Sequence, residues 1–142
     1  MRNTIGLLVS LFCLVLSCKE QGQMAGPQEA AQMKKVMSIH DEVMPKMGQI
    51  GKLVAELKPK VDSTEMGGKY NTAMKDLQAA HKGMMDWMKG FGDRFDPDEI
   101  LNGKALSEQK QKWLDEEEVK VKVMRDHIHT SIAKAEALLG QK

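Results

Sequence analysis

The stretch that decides the fold runs from Met74 to Phe95 and reads MKDLQAAHKGMMDWMKGFGDRF. Apolar side chains and one histidine recur there alternately every four and three residues. This spacing is typical of the face of an α-helix that packs against other helices. The positions on this face are Tyr70, Met74, Leu77, His81, Met84, Met88, Phe91 and Phe95. A histidine therefore lies in the middle of an apolar face that is rich in methionine.

The segment before this stretch keeps the same spacing and predicts a first long helix. Pro27 suits the first position of a helix. Pro45 lies inside the segment, where it removes the hydrogen bond to the carbonyl of Asp41, so we expect a kink or a break into two helices. The positions that keep the spacing are Met33, Met37, His40, Met44, Met47, Val54 and Val61.

The segment after the stretch predicts a third helix, which Ser107 can cap and Gly140 can end. The glycines at 67 and 68 weaken the start of the second helix, so its first secure turn is expected near Lys69. Residues 96–101 predict a short helical turn. The expected fold is all-α: an elongated, antiparallel, coiled-coil-like three-helix bundle, with helices over about 27–61, 65–92 and 107–139.

The N-terminus predicts a signal peptide. An apolar run from Ile5 to Leu16 is too short to span a bilayer as a helix and suits the core of a signal peptide. The sequence at 14–18, Leu-Val-Leu-Ser-Cys, resembles the lipobox of bacterial lipoproteins, although Leu16 replaces the more usual small residue. The resemblance implies cleavage after Ser17 and a lipid thioether on Cys18. The alternative is an ordinary secreted protein that is cleaved nearby.

These expectations divide the chain into a signal peptide over 1–17, a lipidated cysteine and tether over 18–26, and the helical domain over 27–142. Cys13 leaves with the signal peptide, so the mature domain has no cysteine besides Cys18 and forms no disulfide. The net charge of +1 gives no electrostatic case for nucleic-acid binding. No set of nucleophile, base and orienting residue is recognisable, so we expect a protein that is not an enzyme and needs no cofactor.

A group of histidines and methionines is the candidate for metal chemistry. If the first two helices pack antiparallel about Ser63, residues whose numbers add up to about 128 lie opposite each other. Imidazole and thioether together suit Cu(I), so copper binding is the alternative function. The expected pairs are Met47 with His81, Met44 with Met84, and His40 with Met88. The competing interpretation is that methionine fills the core, because its flexible side chain does so readily.

Trp87 and Trp113 lie one position away from the expected apolar faces. Packing between helices is the first interpretation, and a partner surface is the alternative if either ring is exposed. The acidic run over 115–118 predicts a solvated face. His127 and His129 point about 200° apart on a helix and form no chelate with each other.

Three segments, at 39–47, 84–91 and 98–101, resemble a small family of lipoproteins from Bacteroidota that often carries the automatic label "viral A-type inclusion protein". The label reflects coiled-coil composition, so the resemblance implies fold and location only. Lys19-Glu20 also resembles the surface-export signal of such lipoproteins. We therefore expect a protein anchored to the outer membrane, periplasmic or surface-exposed, with a structural or interaction role. The expected partners are the membrane, another envelope protein or a second copy of the chain.

Overall fold

A computed structural model describes residues 24–140 of the chain, which has 142 residues. The expected signal peptide, Cys18 and most of the tether lie outside the described residues. The described part is all-helical, with several packed helices and no strand. The helices are α1 (Pro27–Val43), α2 (Lys46–Leu57), α3 (Glu65–Arg94), α4 (Pro97–Leu101) and α5 (Glu108–Gly140), with a 3₁₀ turn at Lys58–Lys60 between α2 and α3.

Polar contacts between α5 and the first two helices show that these elements run in the same direction. Gln32 of α1 donates to Asp115 across 83 residues of chain, and Gln49 of α2 donates to Glu136 across 87 residues. A nearly constant separation requires parallel helices. The amide of Gln32 also reaches Glu118, which ties α1 to α5 at a second point.

The contacts between α3 and α5 show the opposite direction. Arg94 at the end of α3 pairs with Glu116 near the start of α5, across 22 residues of chain. Asp76 in the first half of α3 pairs with His127, across 51 residues. The separation grows along the helices, so α3 and α5 are antiparallel.

The buried stripe on α3 differs in part from the expected one. Leu77, Met84 and Phe91 are buried as predicted, but His81 and Met88 are exposed. Their places in the stripe are taken by the preceding residues, so that the core side of α3 is Ala73, Leu77, Ala80, Met84, Trp87 and Phe91. This stripe still alternates spacings of four and three. The helix is rotated so that it buries an indole and a methyl group and leaves the imidazole in water, where its polar nitrogens are solvated.

The expected first helix is broken into two helices at Pro45, which is one of the two outcomes that we expected there. α1 ends at Val43 and α2 begins at Lys46, while Met44 and Pro45 keep helical backbone angles. The amide of Met47 bonds to the carbonyl of Met44 at 3.2 Å, which tightens the turn around the missing donor. The two helices therefore follow each other with a break in the hydrogen-bond ladder.

Helix α3 begins at Glu65, and its first turn is formed ahead of Lys69, where the first secure turn was expected, because Gly67 makes a capped turn possible. Asp62 accepts a hydrogen bond from the amide of Thr64 at 2.9 Å. Thr64 in turn caps α3 by accepting from the amide of Gly67 at 3.0 Å. A Cβ atom on Gly67 would lie 2.6 Å from the backbone nitrogen of Asp62 and closer still to its carboxylate. Gly67, which was expected to weaken the helix, therefore allows the turn at Asp62 to pack against the start of α3.

Gly67→Ala is expected to lower the free energy of unfolding by about 1–3 kcal/mol, because the turn at Asp62 must move. Gly68→Ala is the matched control in the same helical turn. Nothing lies within 4 Å of a Cβ there, so we expect it to stabilise α3 by about 0.5–1 kcal/mol. Urea unfolding followed by circular dichroism measures both. Equal effects of the two substitutions would contradict the close approach at Gly67.

The acidic run on α5 is solvated only in part. Glu117 is 2% exposed, where it accepts from Arg94 at 3.0 Å and from Lys120 at 2.8 Å. Glu118 pairs with Lys122 at 2.5 Å and with Lys35 of α1 at 2.8 Å. Hydrogen bonds from these two lysines hold the pKa of Glu118 at about 2, below its ordinary value of 4.5. The run therefore carries part of the contact between α5, α1 and α3.

The low pKa of Glu118 makes folding stability depend on pH. Its contribution is complete above pH 4.5 and is lost as the pH falls toward about 2, because the carboxylate must then be protonated in the folded protein. Glu118→Gln is expected to lower stability at pH 7 by about 1 kcal/mol, a value discounted for solvent screening, and to flatten the loss of stability over this pH range. Glu56→Gln, on an exposed position of α2, is the control. A parallel pH profile for Glu118→Gln and the parent chain would contradict the assignment.

Candidate metal and partner sites

His40 lies in the last turn of α1 and its ring is used in packing. Its Nδ1 is 2.9 Å from the carboxylate of Asp41, and its ring stacks on Trp87 with centroids 5.7 Å apart. Trp87 stacks in turn on Phe91 at 4.9 Å, and Phe91 lies 4.8 Å from Phe95. The imidazole therefore ends a row of aromatic rings that joins α1 to α3.

His81 lies at a different level of α3. It is exposed and borders a shallow depression with Ile50, Gly51 and Val54 of α2, beyond the expected partner Met47. His40 contacts Trp87, which is six residues further along α3 than His81, or about 9 Å along the axis. The neighbours of His81 on α2 thus lie three to seven positions beyond Met47, the partner expected for it, and the two histidines face different neighbours.

The four methionines of the candidate site have different surroundings. Met84 is fully buried in the core, and Met47 is half-buried against it. Met44 and Met88 are exposed. Within residues 24–140, no group of three or more His, Cys, Asp or Glu side chains is arranged to hold a metal ion. Since this says nothing of thioether ligands, copper binding by these histidines and methionines stays a prediction.

The copper hypothesis is tested by titrating the domain from Lys19 onward, which lacks both cysteines of the chain, with Cu(I) against a competing chelator. It predicts one-to-one binding that His40→Ala combined with His81→Ala abolishes, and a higher melting temperature with the metal bound. His127→Ala combined with His129→Ala is the control, because these residues lie on α5 outside the candidate site. Binding that survives the first double substitution with unchanged stoichiometry would contradict this site.

The two tryptophans occupy different environments. Trp87 is only 8% exposed, and its Nε1 has no hydrogen-bond partner among the described residues. Trp113 is half-buried, and the guanidinium of Arg94 lies 5.4 Å from the centre of its ring. Trp87 therefore packs between helices, whereas part of Trp113 remains accessible beside a cation.

The sequence analysis did not predict the apolar surface that two exposed valines of α5 form. Val119 and Val123 of α5 are 62% and 64% exposed. They border a groove between α3 and α5 in which Gly83 and Gly90 leave space beside Trp87. The available signal was that these valines lie four residues apart, off the buried stripe of α5, in an otherwise charged segment.

The remaining histidines hold α5 to two different helices. Nε2 of His127 lies 2.9 Å from the carboxylate of Asp76 on α3. Nε2 of His129 lies 3.4 Å from the carboxylate of Glu42 on α1. This divergence is what their angular separation on one helix predicts, and neither shares a neighbour with the other.

None of the helices within residues 24–140 is both long and apolar enough to cross a membrane. No family model matches the chain, and the comparisons with curated proteins and with solved structures also gave no match.

Proposed function

We propose that the protein is a lipoprotein of the cell envelope with a structural or interaction role and no catalytic activity. The observation that carries the proposal is the position of Cys18, directly after Ser17 at the end of a short apolar run. A cysteine at that place is the residue that lipoprotein processing modifies, and it would hold the domain at a membrane without a spanning helix.

The three-helix bundle is the architecture that fits this proposal. The parallel contacts of α1 and α2 with α5, and the antiparallel contacts of α3 with α5, support it. The first described residues also run to a fixed point on the domain. Ala25 donates a backbone hydrogen bond of 2.8 Å to Gly103, in the connection between α4 and α5. The anchor would therefore hold the domain by a defined end.

An interaction role is supported by the groove between α3 and α5, because Val119 and Val123 lie exposed at its edge beside Trp87, and contiguous apolar surface of this kind marks sites where a partner binds. Another envelope protein or a second copy of the chain is the expected partner. The outer membrane, on its periplasmic side or its outer surface, is the proposed location. Copper binding remains the alternative function, and the titration described above decides it.

Mass spectrometry of the full chain, expressed in a bacterium that processes lipoproteins, tests the anchor. We expect the mature protein to begin at Cys18 and to carry a diacylglyceryl thioether there. Cys18→Ser is expected to keep residues 1–17, because the lipid-dependent cleavage fails. Cys13→Ser is the matched control and should be processed like the parent chain, since Cys13 lies inside the apolar run. Cleavage elsewhere with Cys18 unmodified would contradict the proposal.

A further inference from the structure

The two most exposed large apolar side chains in the described part of the chain lie at the same end of the molecule. Met24 is 69% exposed and Leu101 is 76% exposed. Met24 pairs through its backbone with Lys104, and its terminal methyl group lies beside Gly103. Leu101 ends α4 just before this glycine. Met24, Leu101 and Lys104 form what we call the tether-end surface.

Of the acidic groups near this surface, Glu99 is held inside the domain, whereas Asp96 and Asp98 are exposed. Glu99 is buried, where it accepts from the backbone of Asp96 at 2.7 Å and from Lys110 at 2.7 Å. Asp98 accepts from the side chain of Asn102 at 2.8 Å. Lys104 is half-exposed and lies 4.0 Å from Asp96, the limit of an ion pair. The surface therefore presents two apolar side chains and Lys104, with the exposed carboxylates of Asp96 and Asp98 at its edge.

Beside this surface is a pocket of about 350 Å³ between α1 and α4, which Leu101 and Lys104 also border. Its lining combines apolar side chains such as Met33 and Ile100 with charged ones such as Lys34 and Asp41. The pocket therefore continues the mixed apolar and charged character of this end into the domain.

The chain length fixes which end of the domain is near the anchor. Five residues separate Cys18 from Met24, so the two Cα atoms are at most about 20 Å apart. Helix α5 has 33 residues and spans about 50 Å. Met24 therefore stays within about 20 Å of a lipid-anchored Cys18, whereas the length of α5 allows its far end to lie about 50 Å further away.

We propose that the tether-end surface docks on the lipid bilayer, with Met24 and Leu101 inserted at the headgroup boundary and Lys104 close to lipid phosphates. The inference rests on the proposed lipid anchor and adds the orientation of the domain. Two inserted side chains bind weakly by themselves, but the anchor keeps them at high local concentration beside the bilayer. The helices would then project away from the membrane, with the groove at Val119 and Val123 facing sideways.

Fluorescence quenching in vesicles tests this orientation. The mature chain has no cysteine besides Cys18, which the thioether blocks, so the cysteine introduced by Leu101→Cys is the thiol that an environment-sensitive fluorophore labels. The lipidated full-length product is reconstituted into phosphatidylethanolamine–phosphatidylglycerol vesicles that carry a nitroxide near the headgroup. We expect the label at 101 to lose about half of its fluorescence or more, because an inserted group lies at the depth of the nitroxide.

Two matched positions serve as controls. Met66→Cys places the label in the first turn of α3, at the opposite end, and Val123→Cys places it beside the groove on α5. Both are expected to keep nearly all of their fluorescence. Met24→Asp in the labelled Leu101→Cys chain is expected to weaken the quenching, because it puts a carboxylate against the bilayer. Circular dichroism is used to check that each variant keeps its helices.

The outcomes separate the orientation from the anchor. Quenching at 101 with none at 66 supports docking by the tether-end surface. Equal lack of quenching at all three positions, or quenching at 123 with none at 101, overturns it even though the protein floats with the vesicles. A chain that fails to float and takes up a second fluorophore at Cys18 contradicts the anchor, and the orientation with it.

Discussion

The structure depends on the packing of one face of α3 between α5 and the first two helices. Leu77 and Met84 on this face are fully buried, and Trp87 and Phe91 are nearly so. Burial of a side chain of this size contributes about 1.5–3 kcal/mol. The described residues contain no cysteine, so this apolar contact has no covalent support. The ion pair between Arg94 and Glu117 lies at the edge of this contact, and the pair between Lys35 and Glu118 joins α1 to α5.

The rotation of α3 shows what the sequence could predict and what it could not. Leu77, Met84 and Phe91 repeat every seven residues and belong to the core in either rotation. The choice lay between Ala80 with Trp87 and His81 with Met88, which fit the same alternation of four and three. The spacing alone cannot separate these pairs. The free energy of desolvating an imidazole, and the larger apolar area of an indole, favour the first pair.

The break at Pro45, the turn at Gly67 and the short helix α4 differ in how far the sequence predicted them, because only some of them depend on residues close together in the chain. The break at Pro45 follows from a missing amide proton, which is a property of the residue itself. The role of Gly67 could not be predicted, because it depends on how closely the Asp62 turn approaches α3. Helix propensity alone predicted that Gly67 destabilises the start of α3. The short helix α4 was predicted well, since Asp96, Pro97 and Glu99 form a complete capping signal within the chain.

This rotation also governs the candidate sites. It places His81 and Met88 on the surface and Trp87 beneath His40, so the residues expected to form one metal site have separate surroundings. The same rotation turns Gly83 and Gly90 toward α5 and opens the groove that Val119 and Val123 border. At the tether end, the connection between α4 and α5 brings Met24 and Leu101 together, which the sequence could not indicate because they are far apart along the chain.

Native-state hydrogen exchange tests whether the fold depends on this face of α3, because it reports the stability of each helix separately. We expect the amides of α3 from Leu77 to Phe91 to exchange most slowly and only through global unfolding, together with the facing part of α5. Amides of α4 and of the connection to α5 should exchange through local opening at lower free energy. Exchange of the α3 amides in step with those of α4 would contradict the dependence of the fold on this face.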